Sequence, residues 1–177
     1  MVTSSRSEAL PLRSPHRHRR VRSATDDRPL HDDGIVGGMG EPLAKPVGLP
    51  RNLVGLQVVV VDDDEDSLEY FVAALRACGA AVLKASTAVD ALALVREREA
   101  DVVLSDIAMV GHNGYWLVDE IRRLTDQKRR SIPVVATTAY GREHPRARAV
   151  AAGFIDLLPK PVDPEVLCRA IARAAGR

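Results

Sequence analysis

Apolar residues between positions 52 and 177 follow two alternating periods. Five short runs are continuous and rich in β-branched residues, as expected for strands buried on both faces. The segments between them repeat apolar residues every three or four positions, which predicts amphipathic helices. The five predicted strands are LQVVVV from residue 56, AAVLKA from 80, DVVLS from 101, IPVVAT from 132 and FIDLL from 154.

Polar residues that suit helix termini lie at the edges of the periodic segments. Asp66 is the predicted cap of the first helix, with Glu69 as its capping-box partner, and Thr87 is the predicted cap of the second. Gly79 supplies a stop for the first helix. The fourth helix carries Ala147, Val150 and Ala151 and is expected to hold Pro145 in its first turn.

The order of elements is therefore (βα)5. Strands that alternate with helices through short loops are parallel and are joined by right-handed crossovers. The predicted fold is α/β, a doubly wound five-stranded parallel sheet of flavodoxin-like type. In such sheets, ligands bind beyond the carboxyl ends of the strands, at the point where the strand order switches.

Composition divides the chain near residue 51. Residues 1–51 hold nine Lys and Arg against six Asp and Glu, a net charge of +3, whereas residues 52–177 hold 16 against 18, a net charge of −2. The first part is rich in Pro, Gly, Ser and Arg and has few apolar residues, so we predict a disordered basic tail. Its HRHRR run is a possible contact with nucleic acid or an acidic surface, but we expect a solvated tail and no direct nucleic-acid binding.

Further features restrict the class of protein. No run of 18 apolar residues and no apolar leader is present, so we expect no membrane association and a cytoplasmic location. Cys78 and Cys168 fall in predicted helices without metal-binding or redox spacing. We therefore predict that both are reduced core residues, since free cysteine is commonly buried.

Four polar signals follow the predicted strands, and together they suggest phosphoryl chemistry. They are Asp62-Asp63, Asp106, Thr138 and Lys160. Carboxylates on neighbouring loops suit Mg²⁺, which prefers oxygen ligands. A carboxylate is also a nucleophile toward phosphorus, and an amine and a hydroxyl can stabilise the transferring oxygens.

The segments VVVVDDDED, LSDIAMVGHNG, ATTAY and LPKPVDP resemble the motifs of response-regulator receiver domains of two-component signalling. The resemblance covers about residues 54–176 and is closest to receivers of hybrid histidine kinases, so the predicted domains are the tail, 1–51, and a receiver, 52–177. It implies that Asp106 is the phosphoacceptor and that Lys160-Pro161 is a cis peptide. The other implied site residues are Asp62, Asp63 and the Ala108 carbonyl at Mg²⁺, with Thr138 and Lys160 at the phosphoryl group.

The resemblance also implies a role and partners. The chain is expected to be a stand-alone phosphoacceptor switch that is not an enzyme beyond self-phosphorylation and slow dephosphorylation. Its expected partners are a histidine kinase or histidine phosphotransfer protein and a downstream protein effector. Two positions depart from the family pattern, Val110 in place of the usual Pro and Leu157 in place of the usual switch aromatic, although Tyr140 is close in sequence.

Two alternatives compete with this interpretation. A haloacid-dehalogenase-type phosphatase would use Asp62, Asp64, Thr138 and Lys160, but it would leave Asp106 without a role and lacks a further acidic motif. The second is a receiver that acts as an unphosphorylated scaffold. All the residues needed for phosphorylation are present, which favours the phosphorylated form.

Overall fold

A computed structural model describes residues 51–177, so nearly all of the predicted tail, including HRHRR, lies outside the described residues. None of the helices in this part is long and apolar enough to cross a membrane. The strands are β1 Gln57–Val61, β2 Ala81–Ala85, β3 Val102–Asp106, β4 Val134–Thr138 and β5 Asp156–Pro159. The helices are α1 Glu65–Ala77, α2 Ala88–Glu97, α3 Gly114–Arg122, α4 Gln127–Arg130, α5 Arg146–Ala151 and α6 Pro164–Ala174.

The sheet is fully parallel, with the strand order β2-β1-β3-β4-β5, which confirms the predicted fold. The chain moves outward from β1 to β2 and then returns past β1 to β3, so the switch point lies between β1 and β3. The register pairs Val61 with Ser105 and Asp106 with Thr137. The carboxyl ends of the three central strands consequently meet at one edge of the sheet.

Helices cover both faces of the sheet. One face of β1, β3 and β4 packs against α1 and α6 through a cluster that includes Phe71, Leu75 and Leu167. The opposite face packs against α2, α3 and α5 through residues such as Leu92 and Ile121. The central strands β3 and β4 are buried along their whole length, as their continuous apolar runs predicted.

The caps decide where the helices begin, and one predicted cap is wrong. Asp64, not Asp66, is the N-cap of α1, since its side chain accepts a hydrogen bond from the Ser67 N–H at 2.8 Å. Asp66 instead lies in the first turn of α1, where a negative charge favours the helix dipole. Thr87 caps α2, as predicted, and Gly79 follows α1 with φ +97°, a conformation that glycine adopts without strain.

The fourth predicted helix differs in detail. A short helix, α4, precedes β4, so the predicted fourth helix is α5. Pro145 is the N-cap residue just before α5 and not in its first turn. Every residue of α5 therefore keeps its backbone N–H. Ala149 is the buried residue of α5, whereas Val150 is 48% exposed, so the predicted apolar stripe is rotated by one position.

The prediction of reduced cysteines is wrong. Cys78, the C-cap of α1, and Cys168, in α6, form a disulfide. The sequence did not reveal the pair, because the two cysteines have a sequence separation of 90 and neither is near another cysteine. The shared face of α1 and α6 brings the two side chains together.

Candidate functional site

Three charged side chains meet at the carboxyl ends of β1, β3 and β5. The Lys160 ammonium lies 2.6 Å from Asp62 Oδ2 and 2.9 Å from Asp106 Oδ1. Asp62 and Asp106 are 1% and 4% exposed, and the Lys160 side chain is 17% exposed. A single ammonium thus bridges two buried carboxylates that would otherwise repel each other.

The fold holds Lys160 in this place from two directions. Its backbone N–H donates to the Thr138 carbonyl at 2.8 Å, which ties the end of β5 to the end of β4. Its ammonium lies 5.7 Å from the centre of the Phe71 ring on α1, within the range of a cation–π contact. The amine is therefore directed toward the strand ends and away from solvent.

Burial and neighbouring charges shift the pKa of each of these groups in opposite directions. Burial raises the pKa of Asp62, and the Lys160 ammonium offsets this only in part. Burial would lower the pKa of Lys160, but its hydrogen bonds to Asp62 and Asp106 outweigh that effect, so the pKa is raised. The amine stays protonated at neutral pH and supplies a fixed positive charge.

Asp106 has an environment that differs between its two carboxylate oxygens. Oδ1 faces Lys160, while Oδ2 accepts a hydrogen bond from the Ala108 N–H at 2.6 Å. The neighbouring Ser105 hydroxyl donates to the Asp106 carbonyl at 2.8 Å and fixes the backbone. The carboxylate is therefore held in one orientation at the end of β3, as a positioned nucleophile requires.

Asp63 is exposed and contacts the loop that follows β3. Its Oδ2 accepts a hydrogen bond from the Val110 N–H at 2.8 Å. Among residues 51–177, no group of three or more His, Cys, Asp or Glu side chains is arranged to hold a metal ion. Asp62, Asp63 and Asp106 nonetheless supply hard oxygen donors at one edge of the sheet, the chemistry that Mg²⁺ prefers.

Thr138 is fully buried at the end of β4. Its hydroxyl accepts a hydrogen bond from the Tyr140 N–H at 3.0 Å and so fixes the first turn of the loop between β4 and α5. Leu157, in the middle of β5, is 7% exposed and packs into the core, while Tyr140 is 55% exposed. Tyr140 therefore does not fill the buried position where the usual aromatic is missing.

One residue that supports the site was absent from the sequence prediction. Gly114 is the first residue of α3, and a Cβ added there would lie 2.5 Å from the Asp106 carbonyl oxygen and 3.0 Å from Ile107 Cα. Only glycine permits this approach of α3 to the end of β3. The Asn113-Gly114 pair was a visible signal of a helix start, but it carried no sign of this contact.

A second group of residues that the sequence did not reveal links α3 to α5. The Tyr115 hydroxyl lies 3.3 Å from His144 Nδ1, and its ring meets Phe154 edge to face at 5.7 Å. The Arg148 guanidinium lies 5.1 Å from the centre of the same ring. We call Tyr115, His144, Arg148 and Phe154 the Tyr115 cluster.

Two open clefts border the strand ends. A cleft of about 550 Å³ lies beside Lys160 and is lined by Tyr70, Phe71 and Val162, among other residues. A second cleft, of about 310 Å³, lies on the side of Asp63 and includes Lys84 and Glu65. Lys160 lines the first cleft and Asp62 the second, so open space borders the charged centre on both sides.

Comparison with known proteins agrees with this geometry. Residues 58–172 match the model of the response regulator receiver domain. The chain is 35% identical over 115 residues to the protein PilH of Pseudomonas aeruginosa, a match that covers 65% of this chain and 93% of PilH. Receiver domains are phosphoacceptor switches of two-component signalling.

Solved structures show the same fold. The chemotaxis protein CheY4 of Vibrio cholerae aligns with a TM-score of 0.62 at 25% identity and covers 67% of this chain and 98% of that one. The receiver domain of the sensor histidine kinase PA1611 of Pseudomonas aeruginosa, with a magnesium ion in its active-site cleft, aligns with a TM-score of 0.63 at 27% identity and covers 70% of this chain and 100% of that one. This chain belongs to the response-regulator receiver domain family.

Proposed function

We propose that this protein is a cytoplasmic receiver that accepts a phosphoryl group onto Asp106 from a phosphohistidine donor. The donor is a histidine kinase or a histidine phosphotransfer protein. The observation that carries the proposal is the contact of one ammonium, Lys160 Nζ, with both Asp62 and Asp106. A buried cation next to a positioned carboxylate suits the binding of a phosphoryl dianion.

The proposed reaction is a single displacement at phosphorus. A carboxylate oxygen of Asp106 forms the new O–P bond, the P–N bond to the donor imidazole breaks, and the imidazole leaves with the electron pair. Lys160 and the Thr138 hydroxyl act on the phosphoryl oxygens. Later hydrolysis by water returns Asp106 to a carboxylate, so the protein is a switch and not an enzyme that turns over a separate substrate.

We further propose that Mg²⁺ is needed for phosphorylation. Asp62, Asp63, Asp106 and the Ala108 carbonyl are the residues that would hold it, and all supply oxygen. Bound there, the ion would neutralise charge on the phosphoryl group. The magnesium in the PA1611 receiver supports this assignment. Asp63 is the exposed carboxylate of the set, and its present contact is an amide of the loop after β3.

The proposed output is a change in affinity for a downstream protein. Three exposed apolar side chains lie on or beside α5, β5 and α6, namely Val150 at 48%, Ile155 at 44% and Val166 at 38%. Nearby, Asp156 contacts Arg146 at 2.5 Å and Arg173 at 3.5 Å. Phosphorylation replaces the single negative charge of the Asp106 carboxylate with a phosphoryl group that carries roughly −1.5 to −2 and new hydrogen-bond acceptors, a change that can bias the arrangement of neighbouring loops.

Phosphorylation can be tested directly with acetyl phosphate and Mg²⁺, followed by a phosphate-affinity gel. We expect one shifted species for the native protein and none for Asp106→Asn. Asp119→Asn, at an exposed carboxylate paired with Arg123, is the matched control and should shift normally. Absence of a shift in the native protein, or a shift that survives Asp106→Asn, would contradict the proposal and would favour the unphosphorylated scaffold.

The metal and the phosphatase alternative are tested in the same assay. Excess EDTA should abolish the shift, and Asp63→Asn should raise the Mg²⁺ concentration needed for half-maximal phosphorylation by about tenfold or more. The phosphatase alternative predicts many turnovers of donor hydrolysis that are lost in Asp62→Ala and kept in Asp106→Asn.

A further inference from the structure

The disulfide joins two helices that both begin at the phosphoacceptor end of the sheet. α1 starts at Glu65, just after the acidic pair, and α6 starts at Pro164, four residues after Lys160. A helix that follows a parallel strand runs back along the sheet, so the later residues of α1 lie away from the site. Cys78 is at this far end, where the Leu53 N–H donates to its carbonyl at 3.1 Å.

The surroundings of the two sulfur atoms suit either oxidation state. Cys78 and Cys168 are both 0% exposed and belong to one apolar cluster with Leu75, Leu167 and Ile171. Their Cα atoms are 6.5 Å apart, within the range that a disulfide spans without backbone movement. As thiols, both side chains would remain small apolar core residues, so reduction leaves no buried charge.

We propose that Cys78 and Cys168 are a reversible redox modification site, a two-thiol pair that small disulfides of the glutathione class oxidise. One thiolate attacks the glutathione disulfide and releases a first glutathione. The second thiolate then displaces the other glutathione and closes the protein disulfide. Two protein thiols become one disulfide, and one glutathione disulfide becomes two glutathione thiols, so the electrons balance.

The cellular meaning of this site rests on the cytoplasmic location in the proposed function. Disulfides are rare in cytosolic proteins, and those that occur are commonly transient or redox-sensing. A buried pair between α1 and α6 would therefore report on the thiol pool. The test itself requires neither phosphorylation nor a location, so its failure leaves the assignment of Asp106 untouched.

The physical effect of oxidation is on unfolding. The cross-link encloses a segment with a sequence separation of 90, which contains Asp106, Thr138 and Lys160. Closing so long a loop removes much conformational freedom from the unfolded chain. We expect the oxidised protein to melt roughly 10 °C above the reduced protein.

Burial controls the rate of exchange. Both sulfur atoms are enclosed between α1 and α6, so a thiol reaches them only when these helices separate locally. Reduction by dithiothreitol should therefore be slow in buffer and many times faster in partly denaturing urea. An exposed disulfide would show little difference between the two conditions.

The experiment equilibrates the purified full chain in glutathione buffers of varied oxidised-to-reduced ratio. Thiols are then alkylated under denaturing conditions and counted by mass spectrometry, and melting temperature is measured in parallel. We expect both thiols to be lost together in one transition, accompanied by the rise in melting temperature. Non-reducing electrophoresis should show a monomer.

Matched variants distinguish the effect of the cross-link on the melting temperature from the effect of side-chain packing. Cys78→Ala and Cys168→Ala each remove one sulfur, and each variant is compared with itself with and without reductant. Neither should show a redox-dependent melting temperature, whatever its absolute stability. The alkylation count on the native chain needs no variant. Two thiols that remain alkylatable at every glutathione ratio, an intermolecular disulfide, or equal melting temperatures of the two states would overturn the proposal.

Discussion

The site formed by Asp62, Asp106 and Lys160, which we call the strand-end site, and the Tyr115 cluster are built differently. The strand-end site is polar: an ammonium contacts two buried carboxylates at 2.6 and 2.9 Å. The Tyr115 cluster is a set of aromatic and cationic contacts around one ring, at distances of 5.1 to 5.7 Å from its centre. The first region is suited to chemistry, and the second to packing.

This difference shows which of the two regions depends on an exact arrangement of its side chains. A phosphoryl acceptor must hold a carboxylate and a cation in one orientation, and buried charged groups tolerate little displacement. Contacts around an aromatic ring are weaker and less directional. We therefore expect large losses from changes in the strand-end site and small ones from changes in the Tyr115 cluster.

The largest expected effect is that of Lys160→Ala. It removes the cation that contacts both carboxylates, so the rate of phosphorylation by acetyl phosphate should fall about 100-fold or more. Lys84→Ala, which removes an exposed ammonium paired with Glu69, is the control and should change the rate little. Equal rates in the two variants would show that the Lys160 charge does not contribute to phosphorylation. The contrast between the strand-end site and the Tyr115 cluster would then be lost.

The next effect tests the backbone that supports the strand-end site. Gly114→Ala places a Cβ 2.5 Å from the Asp106 carbonyl oxygen, so α3 must move away from the end of β3. We expect a loss of about 1–3 kcal/mol in the free energy of unfolding, measured by urea denaturation, together with slower phosphorylation.

Gly141→Ala is the control for that substitution, because a Cβ at Gly141 meets no atom within 4 Å. Its free energy of unfolding should stay within about 0.5 kcal/mol of the native value. If Gly114→Ala were equally neutral, the close approach of α3 would not matter to the site, and Asp106 would be positioned by β3 alone.

Much of the fold and the charged centre could be predicted because they follow local rules. Continuous apolar runs indicated buried parallel strands, and a parallel sheet brings its carboxyl ends together. That is why Asp62, Asp106 and Lys160 lie together at the strand ends, while their roles in phosphorylation stay predictions. The role of Asp63 as a metal ligand stays a prediction, since its carboxylate contacts the Val110 amide.

The remaining features depend on which helix faces which, and no local pattern encodes that. Cys78 and Cys168 are brought together only by the packing of α1 against α6. Tyr115 and His144 are 29 positions apart and meet only once α3 lies beside the loop that follows β4. The predicted N-cap of α1 was wrong for a more local reason. The three aspartates among the four successive acidic residues from Asp63 to Asp66 are all suitable N-caps by residue type, and the backbone places Asp64 at that position.

The smallest expected effect is that of Tyr115→Phe, which removes the hydroxyl near His144 Nδ1 and keeps the ring against Phe154. The contact is 3.3 Å long and only partly buried, so the free energy of unfolding should fall by about 0.5 kcal/mol. Amide exchange of residues 139–145 should rise about twofold, while the phosphorylation rate stays unchanged. Tyr140→Phe, at an exposed tyrosine outside the cluster, is the control. A tenfold change in the phosphorylation rate in Tyr115→Phe alone would contradict the contrast between the two regions, because the Tyr115 cluster would then affect the chemistry at Asp106.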